Sequence, residues 1–249
     1  MSQNSEQADN HKSKADIIPS SLWGEDVPVD AKLVRANLID IKNKIAPCKP
    51  RIIGVTKYFG LSSIISGYEA GLRDFGESRA IDGIEKIKSL PEEVRQNSKF
   101  HFIGHLQSNK AERVVEYFDY IHSADSLKLV KTISDYALKM GKREKIFLQV
   151  NNAGEEQKFG YTKERLIEEM PELVKFEGVE IMGLMNMAPL GANEETLHRL
   201  FGELRELRNR INAEYGLLMN ELSMGMSDDY EIAVKEGATM IRIGRKLFT

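Results

Sequence analysis

From Asp30 onward the chain alternates two hydrophobic patterns. Short apolar runs rich in Ile, Val and Phe recur at 51–56 (RIIGVT), 72–76 (LRDFG), 99–104 (KFHFIG) and 119–123 (DYIHS). Four more follow at 145–151 (KIFLQVN), 179–187 (VEIMGLMNM), 220–225 (NELSMG) and 239–244 (TMIRIG). Their length and composition predict strands. Between them apolar residues return at helical spacing, as in Leu127, Val130, Ile133, Ala137, Met140, and in Leu197, Leu200, Phe201, Leu204, Leu207, Ile211. A first helix is predicted from about Asp30, with Val34, Leu38, Ile41 and Ile45 on one face, stopped by Pro47 and Pro50. Ser108 and Asp228 are expected N-caps, and Gly141 and Gly237 expected C-terminal stops. Pro171 inside a helical pattern predicts a kink or a restart. Residues 1–29 are polar, carry Pro19 and Pro28, and read as a loose N-terminal extension with local order around 17–23.

Eight strands in strict alternation with helices predict an α/β fold: a single closed parallel (β/α)8 barrel of the TIM type spanning 30–249, with an extra N-terminal helix. That helix would stand in for the one missing after the last strand. The alternative is an open doubly wound sheet, which the strand count disfavours. No GxGxxG or GxxxxGK[ST] follows the first strand, which weakens dinucleotide and P-loop readings. The five histidines are dispersed and none has the HExxH spacing of a metal site.

Composition narrows the class further. With 35 Lys+Arg against 38 Asp+Glu and a net charge of −3, the 249-residue chain lacks the basic excess of a dedicated nucleic-acid binder. Its longest apolar stretch, 179–191, is too short to span a bilayer. The N-terminus lacks the apolar core of a secretory signal. Cys48 is the sole cysteine, so no intrachain disulfide can form. A reducing, cytoplasmic setting is the simpler expectation.

In such a barrel the chemistry sits at the C-terminal ends of the strands. The sequence places there Lys57, then Glu77 and Ser78, His105, Ser123 and Asn151, then the run 223–227 (SMGMS) and finally 242–245 (RIGR). By strand alternation Lys57 shares a face with Ile53 and Val55. Over an apolar floor its charged form is disfavoured, and a neutral amine can form a Schiff base with an aldehyde. The plain alternative is a lysine that reaches out to solvent at a strand end. Ser223, Gly225 and Ser227, just ahead of a helix, suit a phosphate, and Gly244 with the N–H of Arg245 could complete the cup. The alternative there is a glycine turn with serine caps, and Asp228 and Asp229 count against an anion unless they point away. Arg242, on the inward face with Gly244, needs an acceptor, either a ligand or a carboxylate. An amine, a phosphate cup and a guanidinium on neighbouring strands one, seven and eight suit an aldehyde-bearing phosphate ester, for which pyridoxal 5′-phosphate is the candidate.

The motifs GVTK (54–57), FGESR (75–79), HFIGHLQSNK (101–110), IHSADSLKL (121–129), LQVN (148–151), GLMNMAP (183–189), LSMGMSDD (222–229) and MIRIGRKLF (240–248) give the chain a broader resemblance. In order and spacing, over about 30–248, it resembles the YggS/PROSC family of pyridoxal-phosphate-binding homeostasis proteins. The resemblance implies an alanine-racemase-type N-terminal barrel. It implies the cofactor held as a Schiff base on Lys57, with phosphate contacts from the SMGMS loop (Ser223, Ser227) and from Gly244 and Arg245. It also implies Arg242 facing the pyridine nitrogen, which leaves the ring a poorer electron sink. The chain departs from the family with Ser78 in place of an Asn, Tyr58-Phe59-Gly60 in place of a Thr-x-Pro pattern, and about thirty extra N-terminal residues.

One barrel accounts for the whole chain, so no second catalytic domain is expected. Three classes stay open: a monomeric carrier that serves pyridoxal-phosphate homeostasis and delivers the cofactor to apo-enzymes, a weak racemase or lyase, and a regulatory module. Racemisation would need a second acid/base opposite the lysine, for which Tyr58, His105 and Tyr161 are candidates.

Overall fold

The computed structural model describes residues 28–155 and 159–249. Most of the expected 1–29 extension, including 17–23, lies outside them. The strands are β1 (Arg51–Val55), β2 (Asp74–Glu77), β3 (Lys99–Phe102), β4 (Tyr120–Ala124), β5 (Glu144–Gln149), β6 (Val179–Met185), β7 (Glu221–Ser223) and β8 (Met240–Ile243). They close a barrel in chain order, β1 pairing with both β2 and β8, and every pairing is parallel. The helices are α1 (Ala31–Lys44), α2 (Leu61–Ala70), α3 (Ala80–Ser89), α4 (Glu92–Gln96), α5 (Ala111–Tyr117), α6 (Leu127–Lys139), α7 (Lys163–Leu173), α8 (Glu194–Tyr215), α9 (Tyr230–Lys235) and α10 (Arg245–Phe248). Closure rather than an open sheet follows from having enough strands for the inward side chains to fill the interior.

The apolar positions divide between two layers. Outward strand residues such as Phe75, Ile121, Leu148, Leu184 and Ile241 pack against the helices in one continuous core. Inward residues Ile53, Tyr120, Phe147, Met185 and Met240 form a second, smaller cluster inside the barrel. Period-2 alternation sorts the strand side chains between these layers, interrupted by a register shift in β4 and another where β5 pairs with β6.

The predicted helical faces are buried: Val34, Leu38, Ile41 and Ile45 on or just after α1, and the whole predicted stripe of α8. In α6 the stripe is Leu129, Val130, Ile133 and Ala137, whereas Met140, at its C-cap, is exposed. A short α10 does follow the last strand, and α1 packs beside it, with the Asn37 amide donating to the Leu247 carbonyl at 3.1 Å. The first helix therefore supplements the last rather than replacing it.

The expected helix ends are partly corrected. Gly141 and Gly237 adopt φ of +66° and +95° just past α6 and α9, as left-handed stops should. Ser108 opens a 3₁₀ turn (Ser108–Lys110), and α5 begins after it, so Ser108 is not its cap. Asp229, not Asp228, is the residue before α9. The α7 helix runs through Pro171 to Leu173 without restarting. Proline cannot donate to the Ile167 carbonyl one turn back, and the Tyr215 hydroxyl of α8 donates there instead, at 3.4 Å.

Candidate cofactor site

Lys57 lies two residues past the end of β1 and is half-buried, its Nζ 4.8 Å from the centroid of the exposed Tyr58 ring. The residue before it is clamped. The Thr56 hydroxyl donates to Glu77 Oε1 at 2.7 Å, and Lys86 of α3 reaches both the Thr56 carbonyl and that carboxylate, at 2.9 and 2.8 Å. Glu77 is therefore not a mouth residue. As an outward residue of β2, like Phe75, it sits under α3, where burial pushes its carboxyl up against the lowering pull of Lys86 and Thr56. Ser123 is buried at a register shift of β4 between Ile121 and Ala124, and among the described residues its hydroxyl finds no hydrogen-bond partner. Ser78 lies beside the mouth, where it lines a hollow of about 350 Å³ with Arg79, His105 and Lys110.

The loop after β7 is built for close backbone approach. Gly225 has φ +91°, and a Cβ there would lie 2.6 Å from Ala233 Cβ and 3.0 Å from Tyr230 Cα. The carboxylate of Asp229 folds under the loop and accepts the Met226 N–H at 2.5 Å. Burial raises its carboxyl, opposed by that hydrogen bond and by Arg242. So Asp229 shapes the loop, and its charge is turned inward. The Ser227 carbonyl accepts from Lys246 Nζ at 3.4 Å, tying the β7 loop to α10. Among the described residues, the backbone N–H groups of Ser227, Gly244 and Arg245 meet no acceptor. They form a small donor cradle across the ends of β7 and β8. Arg245 itself is exposed.

Beneath the cradle lies Arg242, 4% exposed. Its Nη1 donates to the Ser223 carbonyl at 2.8 Å and to Ser223 Oγ at 2.6 Å, and its Nη2 to the Asn186 carbonyl at 2.8 Å. Burial pushes the guanidinium down to about 10, with Asp229 acting against that shift. The arginine thus finds neutral oxygen acceptors, where the sequence offered a ligand or a carboxylate. Ser223 also takes a different task from the one expected of it. Fully buried at the end of β7, its hydroxyl is engaged by Arg242 and by His122 and does not join the donor cradle. The interior floor is correspondingly half polar: Ile53, Phe147 and Met185 share it with His101, His122, Ser223 and Arg242.

At the mouth, beyond the end of β3, His105 stacks on Phe159 at 3.6 Å between ring centroids and pairs with Asp125 at 3.4 Å. Tyr161 is buried in the outer apolar core, which raises its phenol. Of the three acid/base candidates, Tyr58 alone has a described contact with Lys57.

Residues 29–249 match the family described as alanine racemase, N-terminal domain. A pyridoxal phosphate homeostasis protein of Synechocystis is 42% identical over 81% of this chain and 92% of its own length. The chain belongs to the pyridoxal phosphate homeostasis protein family. A second relative of that name, from Aquifex aeolicus, is 35% identical over 80% of this chain and 86% of its own. The solved structure of PipY from Synechococcus elongatus with pyridoxal phosphate bound superposes with a TM-score of 0.79 at 36% identity, covering 87% of this chain and all of PipY. Alanine racemase of Clostridium difficile superposes at 0.70 but is 18% identical, a likeness of fold alone.

Proposed function

We propose that this chain binds pyridoxal 5′-phosphate on Lys57 and carries it for vitamin B6 homeostasis without catalytic turnover. The observation that carries the reading is the meeting of a lysine at the end of β1 with unpartnered N–H donors at the ends of β7 and β8, the strand that pairs with β1. When bound, pyridoxal phosphate supplies an aldehyde that a lysine amine captures and a dianion that backbone donors hold. Ser227, Gly244 and Arg245 would hold the phosphate through their N–H groups, and Arg242 would lie under the ring. The clamp on Thr56 fixes the backbone from which Lys57 projects.

The same geometry favours a carrier over a racemase. A racemase needs a second acid/base within reach of the substrate carbon. Here Tyr161 is locked in the core, His105 is held by Asp125 and Phe159, and Tyr58 lies beside the Lys57 amine, not across from it. The mouth rim instead carries exposed apolar side chains, Tyr58, Phe159 and Leu190. They suit transient contact with an apo-enzyme that receives the cofactor. We read the carrier as a monomer. Among the described residues no helix is long and apolar enough to cross a membrane. The lone exposed Cys48 fits a reducing cytoplasm.

Borohydride treatment of the loaded protein should fix the cofactor to the Lys57 peptide, and Lys57→Ala should abolish the adduct. An adduct on another lysine would overturn the assignment. Incubation with D- and L-amino acids should leave their chirality unchanged, and transfer to an apo-enzyme should outpace uptake from free solution.

A further inference from the structure

A line of polar side chains crosses the barrel interior from the mouth to the opposite rim. His122 Nδ1 lies 2.9 Å from Ser223 Oγ, His122 Nε2 lies 2.9 Å from His101 Nδ1, and His101 Nε2 lies 2.9 Å from Asp74 Oδ1. Asp74 begins β2 at the N-terminal end of the barrel, with Arg51 of β1 3.8 Å away. Both imidazoles are fully buried, and both are stacked, His101 on Tyr120 and His122 on Phe147, at 4.5 and 4.3 Å between centroids. Nothing in the reading of the mouth uses either histidine or Asp74.

The ends of the line fix every proton in it. A guanidinium only donates and a carboxylate only accepts. Burial lowers the basicity of both rings, so each is neutral and carries one N–H. His101 must give its Nε2–H to Asp74, leaving Nδ1 bare to accept from His122 Nε2–H. His122 Nδ1 is then bare and accepts the Ser223 hydroxyl proton, and Ser223 Oγ accepts from Arg242. With both rings neutral, the form that their burial favours, no other arrangement satisfies all four contacts. All four hydrogen bonds point the same way, from a buried cation to a carboxylate at the far rim, and each polarises the next.

We propose that Asp74, His101, His122 and Ser223 act as one directional hydrogen-bond chain that holds the Arg242 guanidinium in a single orientation under the bound cofactor, making residues at the opposite rim of the barrel positioning residues for the mouth. Breaking the chain at His101 leaves His122 Nε2–H without an acceptor and frees the Ser223 hydroxyl to turn. Arg242 then loses one of the two acceptors that aim Nη1 and keeps only the Ser223 carbonyl there. The role assigned to Arg242 rests on the cofactor reading above; the proton arrangement does not.

Two measurements separate the two. In the unloaded protein, long-range ¹⁵N–¹H NMR of labelled histidine should show His101 and His122 both protonated at Nε2 and bare at Nδ1. A ring protonated at Nδ1 overturns the chain, whether or not any cofactor binds. In the loaded protein, His101→Phe keeps the stack on Tyr120 but removes both ring nitrogens. It should shift the absorption band of the bound cofactor and weaken its binding about tenfold, as orphaning a buried donor does. His101→Gln, which can still accept and donate along the line, should largely restore both. Asp74→Ala, remote from the mouth and unable to accept the His101 Nε2–H, should move the band in the same direction as His101→Phe and covers the case in which that variant does not fold. Folded variants with an unchanged band and unchanged affinity overturn the proposal. A wild-type protein that forms no borohydride adduct on Lys57 would instead overturn the cofactor reading and leave the NMR result to decide the chain.

Discussion

Single side chains carry the cofactor reading, and they divide by how local their signal is. Lys57 is half-buried and packs little, so Lys57→Ala should change the unfolding free energy by less than about 0.5 kcal/mol in urea denaturation while eliminating the borohydride adduct. A large loss of stability would mean the lysine is structural. Its position could be read from the sequence because a cation directly after an apolar run is a local signal. Arg242 was equally visible as a charged residue within a strand. The task of Ser223 was not. The SMGMS pattern suggested a ligand contact, yet the hydroxyl is used by His122, 101 residues away in the chain. His101 and His122 left a faint trace, since each occupies an inward position of a strand whose neighbours face the outer core. A polar residue at inward parity in a closed barrel must find a partner there. Which partner it finds is not written nearby.

At the level of elements, the β7 loop and the start of β5 give two tests. Gly225→Ala forces a non-glycine residue to φ +91° and pushes a methyl group to 2.6 Å from Ala233. The cost should be about 3 kcal/mol in chemical denaturation, with weaker phosphate anchoring alongside. A neutral outcome would show that the loop has another conformation open to it. Glu144 opens β5 at 1% exposure, and burial pushes its carboxyl up to about 7 despite Lys142 at 2.8 Å. A carboxyl raised in the folded state holds its proton more tightly than the unfolded chain does. Its contribution to stability is therefore complete below the ordinary value of 4.5 and is lost as pH rises through 7. The buried neutral histidines act in the opposite sense, losing stability as pH falls below their ordinary 6.5. The clean quantity is thus the difference between wild type and Glu144→Gln. From pH 5.5 to 8 the wild type should lose about 2 kcal/mol relative to the variant. Parallel pH profiles would rule out a buried, proton-holding Glu144.

The described residues form one closed barrel, so occupancy of its mouth should be felt by global unfolding. At free pyridoxal phosphate one hundred times its dissociation constant, binding contributes about 2.7 kcal/mol, which for a chain of this size is a rise in Tm of about 5–10 °C. Differential scanning calorimetry should show that rise in the wild type and a much smaller one in Lys57→Ala. An equal rise in both would place the cofactor elsewhere.

The sequence by itself determined the order of strands and helices, the barrel, and the positions of Lys57, the 223–227 loop and Arg242 at its mouth. Those follow from periodicity and from the order of elements along the chain, which are local properties. Only the tertiary structure decided that Glu77 turns away under α3, that Asp229 folds beneath its own loop, and that Asp74, His101, His122, Ser223 and Arg242 meet end to end. Closing the sheet brings the inward faces of β2, β3, β4, β7 and β8 within hydrogen-bond reach of one another. The residues that meet across a closed barrel are far apart in the chain, and no period in the sequence records that distance.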